Sequence, residues 1–166
     1  IDAAKEAGVA RFVFVSSMGG TQPGNFLNSI GRCEDGSGGD ILLWKRKAER
    51  YLIASGMAYT IVHPGGLIDE PACKRQLIVG FDDQLLELKN RQVPRGDVAR
   101  VCCAALFDTA AANKSFDLAS KPVGEGAVTP NGSNMALFVS LMGRSCDYTV
   151  IVPDPPSSCQ ARDTKE

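Results

Sequence analysis

Asp40-Ile-Leu-Leu-Trp-Lys-Arg-Lys-Ala-Glu-Arg-Tyr-Leu-Ile-Ala-Ser-Gly56, followed by Ala58-Tyr-Thr-Ile-Val-His-Pro-Gly-Gly66, is the stretch whose reading decides the fold. Its first part has the composition of a helix. The aspartate at its start can accept a free first-turn N–H, and the glycine at its end tolerates a left-handed backbone. Ile41, Lys45, Ala48 and Leu52 recur at i, i+4, i+7 and i+11 and form one stripe, with Arg46, Lys47 and Arg50 facing elsewhere. Tyr59-Thr-Ile-Val62 reads as a buried strand, which must end by His63 because Pro64 cannot donate to a central ladder. Gly65 and Gly66 then let the backbone pass close to protein or ligand.

Upstream, Ile1 to Ala7 is helix-forming and stops at Gly8, and Arg11-Phe-Val-Phe-Val-Ser16 is an apolar run without alternation. Such a run marks a strand covered on both faces, as in parallel sheets. Thr21 to Gly39 is a long loop rich in Gly, Asn, Pro and Ser, and its Gly36-Ser-Gly-Gly39 reads as flexible. Downstream, Gln76 to Gly80 predicts a short strand, Asp82-Asp83 a turn, and Leu85 to Leu88 a further short element. Asp97 is expected to cap a helix over Val98 to Phe107, and Ser115-Phe-Asp-Leu118 predicts a third strand. A helix is expected over Asn134 to Met142, an edge strand at Val150-Ile-Val152, and a disordered tail over residues 145–166 behind a domain at 1–144. Helix and strand alternate, so the fold class is α/β with a mostly parallel sheet and crossover helices.

Composition narrows the function. A net charge of -1 over 166 residues lacks the basic stripe of a nucleic-acid binder, so no nucleic-acid partner is expected. No apolar run approaches the roughly 20 residues of a membrane span, so no membrane partner is expected either. The six cysteines show no C-x-x-C spacing and no paired Cys/His cluster, which gives no reason to expect a metal site and suits reduced thiols. The adjacent acids Asp69-Glu70 and Asp82-Asp83 point apart and define no carboxylate pair.

In open α/β sheets, ligands bind beyond the carboxyl ends of the strands. Two such ends carry unusual residues here: Ser16-Ser17, and His63-Pro64-Gly65-Gly66. Lys45 lies between them in sequence. It could meet a ribose hydroxyl or a phosphate, or it could pair with Glu49 one turn on for about 0.2–0.5 kcal/mol. Ser16 and Ser17 could contact a ligand or serve as local hydrogen bonders; neither sits in the G-x-S-x-G context of an activated nucleophile. His63 is the sole histidine, open to acid–base work or to plain packing. Neither Gly19-Gly20-Thr-Gln-Pro-Gly24 nor Gly36 to Gly39 is a G-x-G-x-x-G or P-loop fingerprint.

With those residues in place, the chain resembles the atypical short-chain dehydrogenase/reductase family, in particular its NmrA-like NAD(P)-binding members of plants and algae. The matching pieces are Ala3 to Val9, Phe12 to Gly20, Leu43-Trp-Lys-Arg-Lys-Ala-Glu49, Tyr59 to Leu67, Val93-Pro-Arg-Gly-Asp-Val-Ala99 and Ser115 to Leu118. The resemblance implies the carboxyl-terminal part of a doubly wound, Rossmann-like sheet, with the first strands and the glycine-rich loop upstream of Ile1. It implies NADP or NAD as cofactor and a dinucleotide plus an unassigned small-molecule substrate as partners. The family's Y-x-x-x-K motif aligns Lys45 with the ribose-binding lysine and Ile41 with the catalytic tyrosine, so the usual proton donor is replaced. Ser16, with Lys45, is then a candidate catalytic residue. Ser16, Ser17, Lys45, His63, Pro64, Gly65, Gly66 and Leu67 become the expected cofactor-binding set. Many relatives carry arginine where His63 stands. The implied function is an NAD(P)-dependent oxidoreductase with an unusual acid. The alternatives are a non-catalytic, dinucleotide-dependent redox sensor, or a fragment without independent function. The implied location is the cytoplasm, or the plastid stroma if a transit peptide precedes Ile1.

Overall fold

The computed structural model describes residues 1–35, 37–131 and 136–156. Its centre is a four-stranded sheet ordered β1-β2-β6-β4, formed by β1 (Phe12–Val15), β2 (Tyr59–Pro64), β6 (Lys114–Ser120) and β4 (Leu77–Gly80). The first three strands are parallel and β4 is an antiparallel edge. A minor parallel pair joins β3 (Leu67–Ile68) to β5 (Val93–Pro94). The uninterrupted apolar strands are explained by helices on both faces. Phe12, Phe14 and Ile61 pack with Leu52 of α2 (Ile41–Ala54) and Ala4 of α1 (Asp2–Glu6). Val13, Val62, Phe116 and Leu118 turn the other way, onto Val98, Val101 and Ala105 of α3 (Arg95–Ala105) and onto Leu137 and Phe138 of α4 (Ala136–Val139). Burying side chains of this size contributes about 1.5–3 kcal/mol each, so the two faces together define the α/β layer order expected from the sequence.

Several local expectations change. Strand β2 continues through Pro64, because the next ladder bond is donated by Gly65 N–H to Leu118 O at 3.0 Å and Pro64 is not required as a donor. Asp40 precedes α2 but does not cap it. Its backbone is left-handed at φ 54° and its carboxylate is held by Arg32, while Asn28 Oδ1 accepts the Leu42 N–H at 2.9 Å instead. Asn28 is buried in a short 3-10 helix, Phe26–Ser29, so the loop before α2 is pinned to that helix's first turn. The run 36–39 is not the free loop its glycines suggest. Gly36 lies outside the described residues, but Gly38 sits at φ +74° where a Cβ would come within 2.3 Å of Gly31 O. Asp97 is likewise not a cap; α3 begins at Arg95, and the buried Asp97 accepts from Cys73 N at 3.0 Å and Arg100 Nε at 2.6 Å.

The helix over Asn134 to Met142 reduces to α4, with residues 134–135 outside the description, and residues 150–152 form no strand. The domain boundary drawn at residue 144 does not follow the packing. Cys146 and Val152 are buried, Cys146 N–H donates to Ser115 O at 3.0 Å, and Asp147 N–H donates to Asp82 Oδ1 at 2.7 Å. Residues 157–166 of the expected tail lie outside the described residues.

Candidate functional site

Helix α2 decides the site, through a face the apolar period does not mark. Its buried residues are Leu42, Leu43, Arg46, Glu49 and Leu52, whereas Ile41 is 45% exposed. The buried face is therefore turned by about 100°, one residue's rotation, from the Ile41–Lys45–Ala48–Leu52 stripe. A period count treats Arg46 and Glu49 as solvent-facing because isolated charges avoid burial. Here they are buried together, with partners.

Glu49, 1% exposed, is the hub. Its Oε1 accepts a hydrogen bond from the Ser16 hydroxyl, and its Oε2 accepts from Tyr148 at 2.9 Å, lies 3.4 Å from His63 Nε2 and 3.5 Å from Arg46 Nη1. Burial raises a carboxyl's proton affinity, but the contacts from His63, Ser16 and Tyr148 outweigh it and hold Glu49 below the usual glutamate range. His63 enters from the end of β2 and Asp117 from the middle of β6, with Nδ1 3.2 Å from Asp117 Oδ1. Burial works against an imidazolium, yet Asp117, Cys146 and Glu49 together hold His63 well above its ordinary value. Asp117 moves up, because its burial exceeds the help it gets from His63 and the negative Asp83 adds to the shift. Burial and the neighbouring Glu49 carboxylate push the Tyr148 phenol up.

The segment 145–149 closes the cluster. Arg46 donates to Asp147 O at 2.6 Å and stacks 3.8 Å from the Tyr148 ring centre, and Cys146 Sγ is 3.8 Å from His63 Nδ1. On the opposite side, Asp83 holds the loop after β1 by accepting from Gly19 N at 2.6 Å and Thr21 N at 2.9 Å.

The expected site residues thus divide. Ser16, His63 and Pro64 are buried, and the side chains of Ser16 and His63 are taken up by Glu49 and Asp117. Neither offers a donor to a dinucleotide in this arrangement. Gly65 is explained by protein packing, since a Cβ there would lie 1.9 Å from Arg91 O. Lys45 is half-buried, and among the described residues its ammonium has no hydrogen-bond or ion-pair partner; the pairing with Glu49 is not made. Ser17 is half-buried, with its hydroxyl on the local Met18 O at 3.1 Å, while Gly66 and Leu67 are exposed. Gly66 borders an open groove at the carboxyl ends of β2 and β6, with Ile78, Leu88, Arg91, Gln92 and Lys121 around it. Sequence reasoning missed Glu49, Arg46, Asp117, Cys146 and Tyr148 as a cluster. A usable signal was the placement of an arginine and a glutamate at i, i+3 on the helix that must cover the sheet.

Comparison with known proteins agrees with this architecture. Residues 1–109 match the family described as NAD(P)H-binding. An uncharacterized chloroplastic protein of Arabidopsis thaliana is 51% identical over 141 residues, 85% of this chain and 41% of that protein. Sanguinarine reductase of Eschscholzia californica is 48% identical over 129 residues, 78% of this chain and 45% of that protein. The chain therefore spans less than half the length of these two relatives. A solved oxidoreductase of Lactococcus lactis superposes with a TM-score of 0.59 at 20% identity, covering 86% of this chain and 56% of that one, a likeness of fold. A short-chain dehydrogenase/reductase of Veillonella parvula, solved with NADP, does so at 0.52 and 19% identity, covering 73% of this chain and 55% of that one. The cofactor class that goes with this family is NAD or NADP. With its parallel sheet, its covered strands and this match along residues 1–109, the chain belongs to the NAD(P)H-binding family, with the Rossmann-like fold of atypical, NmrA-like short-chain dehydrogenases/reductases.

Proposed function

We propose that the protein containing this chain is an NAD(P)H-dependent reductase in which Lys45, Ser17, Gly66 and Leu67 help hold the dinucleotide and the neighbouring groove takes the substrate. The Lys45 ammonium, which has no partner among the described residues, carries this reading, because a half-buried lysine without an anion is readily matched by ribose hydroxyls or a phosphate. The 48% identity to sanguinarine reductase supports the reaction class. When bound, NAD(P)H supplies a hydride. What this chain supplies is position and a cation.

Proton supply is the unusual point. Ile41 has no ionisable group, and it stands exposed one turn before Lys45. Ser16 and His63 are engaged with Glu49 and Asp117, so neither replaces the absent acid. A proton must then come from solvent, or the substrate must need none at the moment of hydride addition. Electrophiles such as iminium cations, which become neutral amines on gaining a hydride, satisfy the second condition; quinones, whose reduced oxyanions are protonated by water, satisfy the first. Simple ketones satisfy neither well. The groove's Lys89, Arg91 and Lys121 outnumber its Glu125 and would assist a developing oxyanion more than a cation, which favours the quinone class.

The test is full-length recombinant protein assayed for NADPH and NADH oxidation against matched quinones, iminium cations and ketones. Turnover of quinones or iminium ions above ketones supports the reading. Tight dinucleotide binding without turnover across the panel overturns the enzyme and favours a dinucleotide-dependent sensor, a reading to which the absent acid at position 41 also points. Partner capture that changes with the NADP/NADPH ratio would then be the positive mark of the sensor. The chloroplastic relative supports a plastid location; among the described residues no helix is long and apolar enough to cross a membrane.

A further inference from the structure

We infer that His63 Nδ1, the Asp117 carboxylate and Cys146 Sγ form a binding site for a zinc-like transition-metal ion that ties residues 145–149 to the sheet. The three side chains are buried, and their ligand atoms lie within 4.8 Å of one another. Nδ1 is 3.2 Å from Asp117 Oδ1 and 3.8 Å from Cys146 Sγ. A tetrahedral ion with the usual zinc bond lengths places nitrogen and oxygen ligands about 3.3 Å apart and nitrogen and sulfur ligands about 3.6 Å apart. Two of the three ligand pairs therefore already have the spacing an ion requires, and the third lies within 4.8 Å.

Independent features point to the same ligand. Asp117 is fully buried, and among the described residues its Oδ2 has no hydrogen-bond partner, a costly omission for a carboxylate unless something in the adjoining cavity meets it. That cavity has about 10 Å³ of free space, room for a single small guest, and is lined by all three residues and by Glu49, Asp82, Asp83 and Arg46. The four carboxylates, Glu49, Asp82, Asp83 and Asp117, outnumber Arg46 and a charged His63, so the walls favour a positive guest. The outer shell is also in place. With Nδ1 given to the ion, Nε2–H of His63 donates to Glu49 Oε2, 3.4 Å away, which is the carboxylate–histidine–metal arrangement that fixes the ring and its tautomer. The Asp82 N–H points at Cys146 Sγ from 3.5 Å. A thiolate, an imidazole and one carboxylate select zinc or cobalt over magnesium or calcium, which prefer all-oxygen sites.

Binding changes no oxidation state; the ion replaces the proton of the Cys146 S–H bond and any proton on Nδ1, and both protons leave to solvent. The site is structural. It lies beneath α2 and is independent of the reductase reading. The competing state is metal-free, with a His63 imidazolium shared between Glu49 and Asp117.

The experiment uses the full 166-residue chain, stripped with a chelator and titrated with Zn²⁺ against a chromogenic competitor, then with Co²⁺. The expected result is one Zn²⁺ per chain and a tetrahedral Co²⁺ spectrum with a thiolate charge-transfer band. Cys146→Ser should abolish that band, and Glu49→Gln should weaken Zn²⁺ binding by about 10–100-fold through the lost outer-shell acceptor. Should Cys146→Ser fail to fold, a variant with Cys33, Cys73, Cys103 and Cys159 replaced by serine and Cys102 by alanine decides the matter, since with Cys146 as its sole cysteine it must keep both the stoichiometry and the band. Absence of a stoichiometric Zn²⁺ in the wild type overturns the proposal. So does loss of the band in the five-cysteine variant, or its survival in Cys146→Ser.

Discussion

The two faces of α2 carry similar residues and meet opposite fates. One face presents Arg46 and Glu49 and is buried; the other presents Lys45 beside an exposed Ile41 and is open. Charge alone does not explain the difference, because lysine, arginine and glutamate all resist desolvation. Partners do. Glu49 finds Ser16, Tyr148, His63 and Arg46, so every charge on the inner face is answered within hydrogen-bond reach, whereas Lys45 finds none among the described residues. A helix can bury its charges where the fold supplies complements from β1, β2, β6 and the chain beyond α4. Where it does not, the charge stays available for a ligand.

The contrast breaks most visibly at Glu49. Glu49→Ala leaves Arg46 and His63 buried without their shared carboxylate and is expected to cost about 3–5 kcal/mol, measured by denaturant unfolding in metal-free buffer. A loss below 1 kcal/mol, by that same measurement, would mean the inner face is solvated after all. Gly65→Ala comes next. Its methyl would meet Arg91 O at 1.9 Å, so the chain beside the groove must move; a cost of about 2 kcal/mol is expected as a drop in melting temperature. Tyr148→Phe removes one donor from Glu49 while keeping the ring under Arg46, and about 1.5 kcal/mol is expected from a double-mutant cycle with Glu49→Gln.

The outer face should behave differently. Lys45→Ala is expected to leave stability within about 0.5 kcal/mol. In the full-length protein it should weaken NAD(P)H binding by about tenfold or more, the loss of one charged hydrogen bond, read by fluorescence titration. Ile41→Tyr is the smallest change in stability and the most informative one in rate. Position 41 is exposed, so the ring is tolerated, and a returned phenol beside Lys45 should raise ketone reduction by about 10²-fold or more. Unchanged ketone turnover with intact cofactor binding would show that the missing acid is not what limits the reaction.

Legibility followed range. The β1, β2 and β6 strands could be read because each carries a short run of β-branched, aromatic or leucine residues that signals a strand locally. The helix ends were read less well: Asp40 looked like a cap by type, but the cap came from Asn28, twelve residues earlier in the sequence, a choice no local rule makes. Of the expected site, Gly66 and Leu67 are exposed and Lys45 and Ser17 half-buried, while Ser16 and His63 belong to the buried cluster.

By itself the sequence determined the α/β class, the covered parallel strands, the helix that crosses between β1 and β2, and the absence of a hydroxyl at position 41. These follow from residue type and short spacing, which the chain carries wherever it goes. Only the tertiary structure decided which side of α2 is buried, that Glu49 rather than Lys45 is the helix's most connected residue, and that Cys146 lies against His63 across 83 positions of sequence. Spacing rules for cysteine and histidine see neighbours along the chain. These ligands come from β2, β6 and the segment beyond α4, and they become neighbours because the sheet sets His63 opposite Asp117 in register and Cys146 is hydrogen-bonded to the same strand at Ser115.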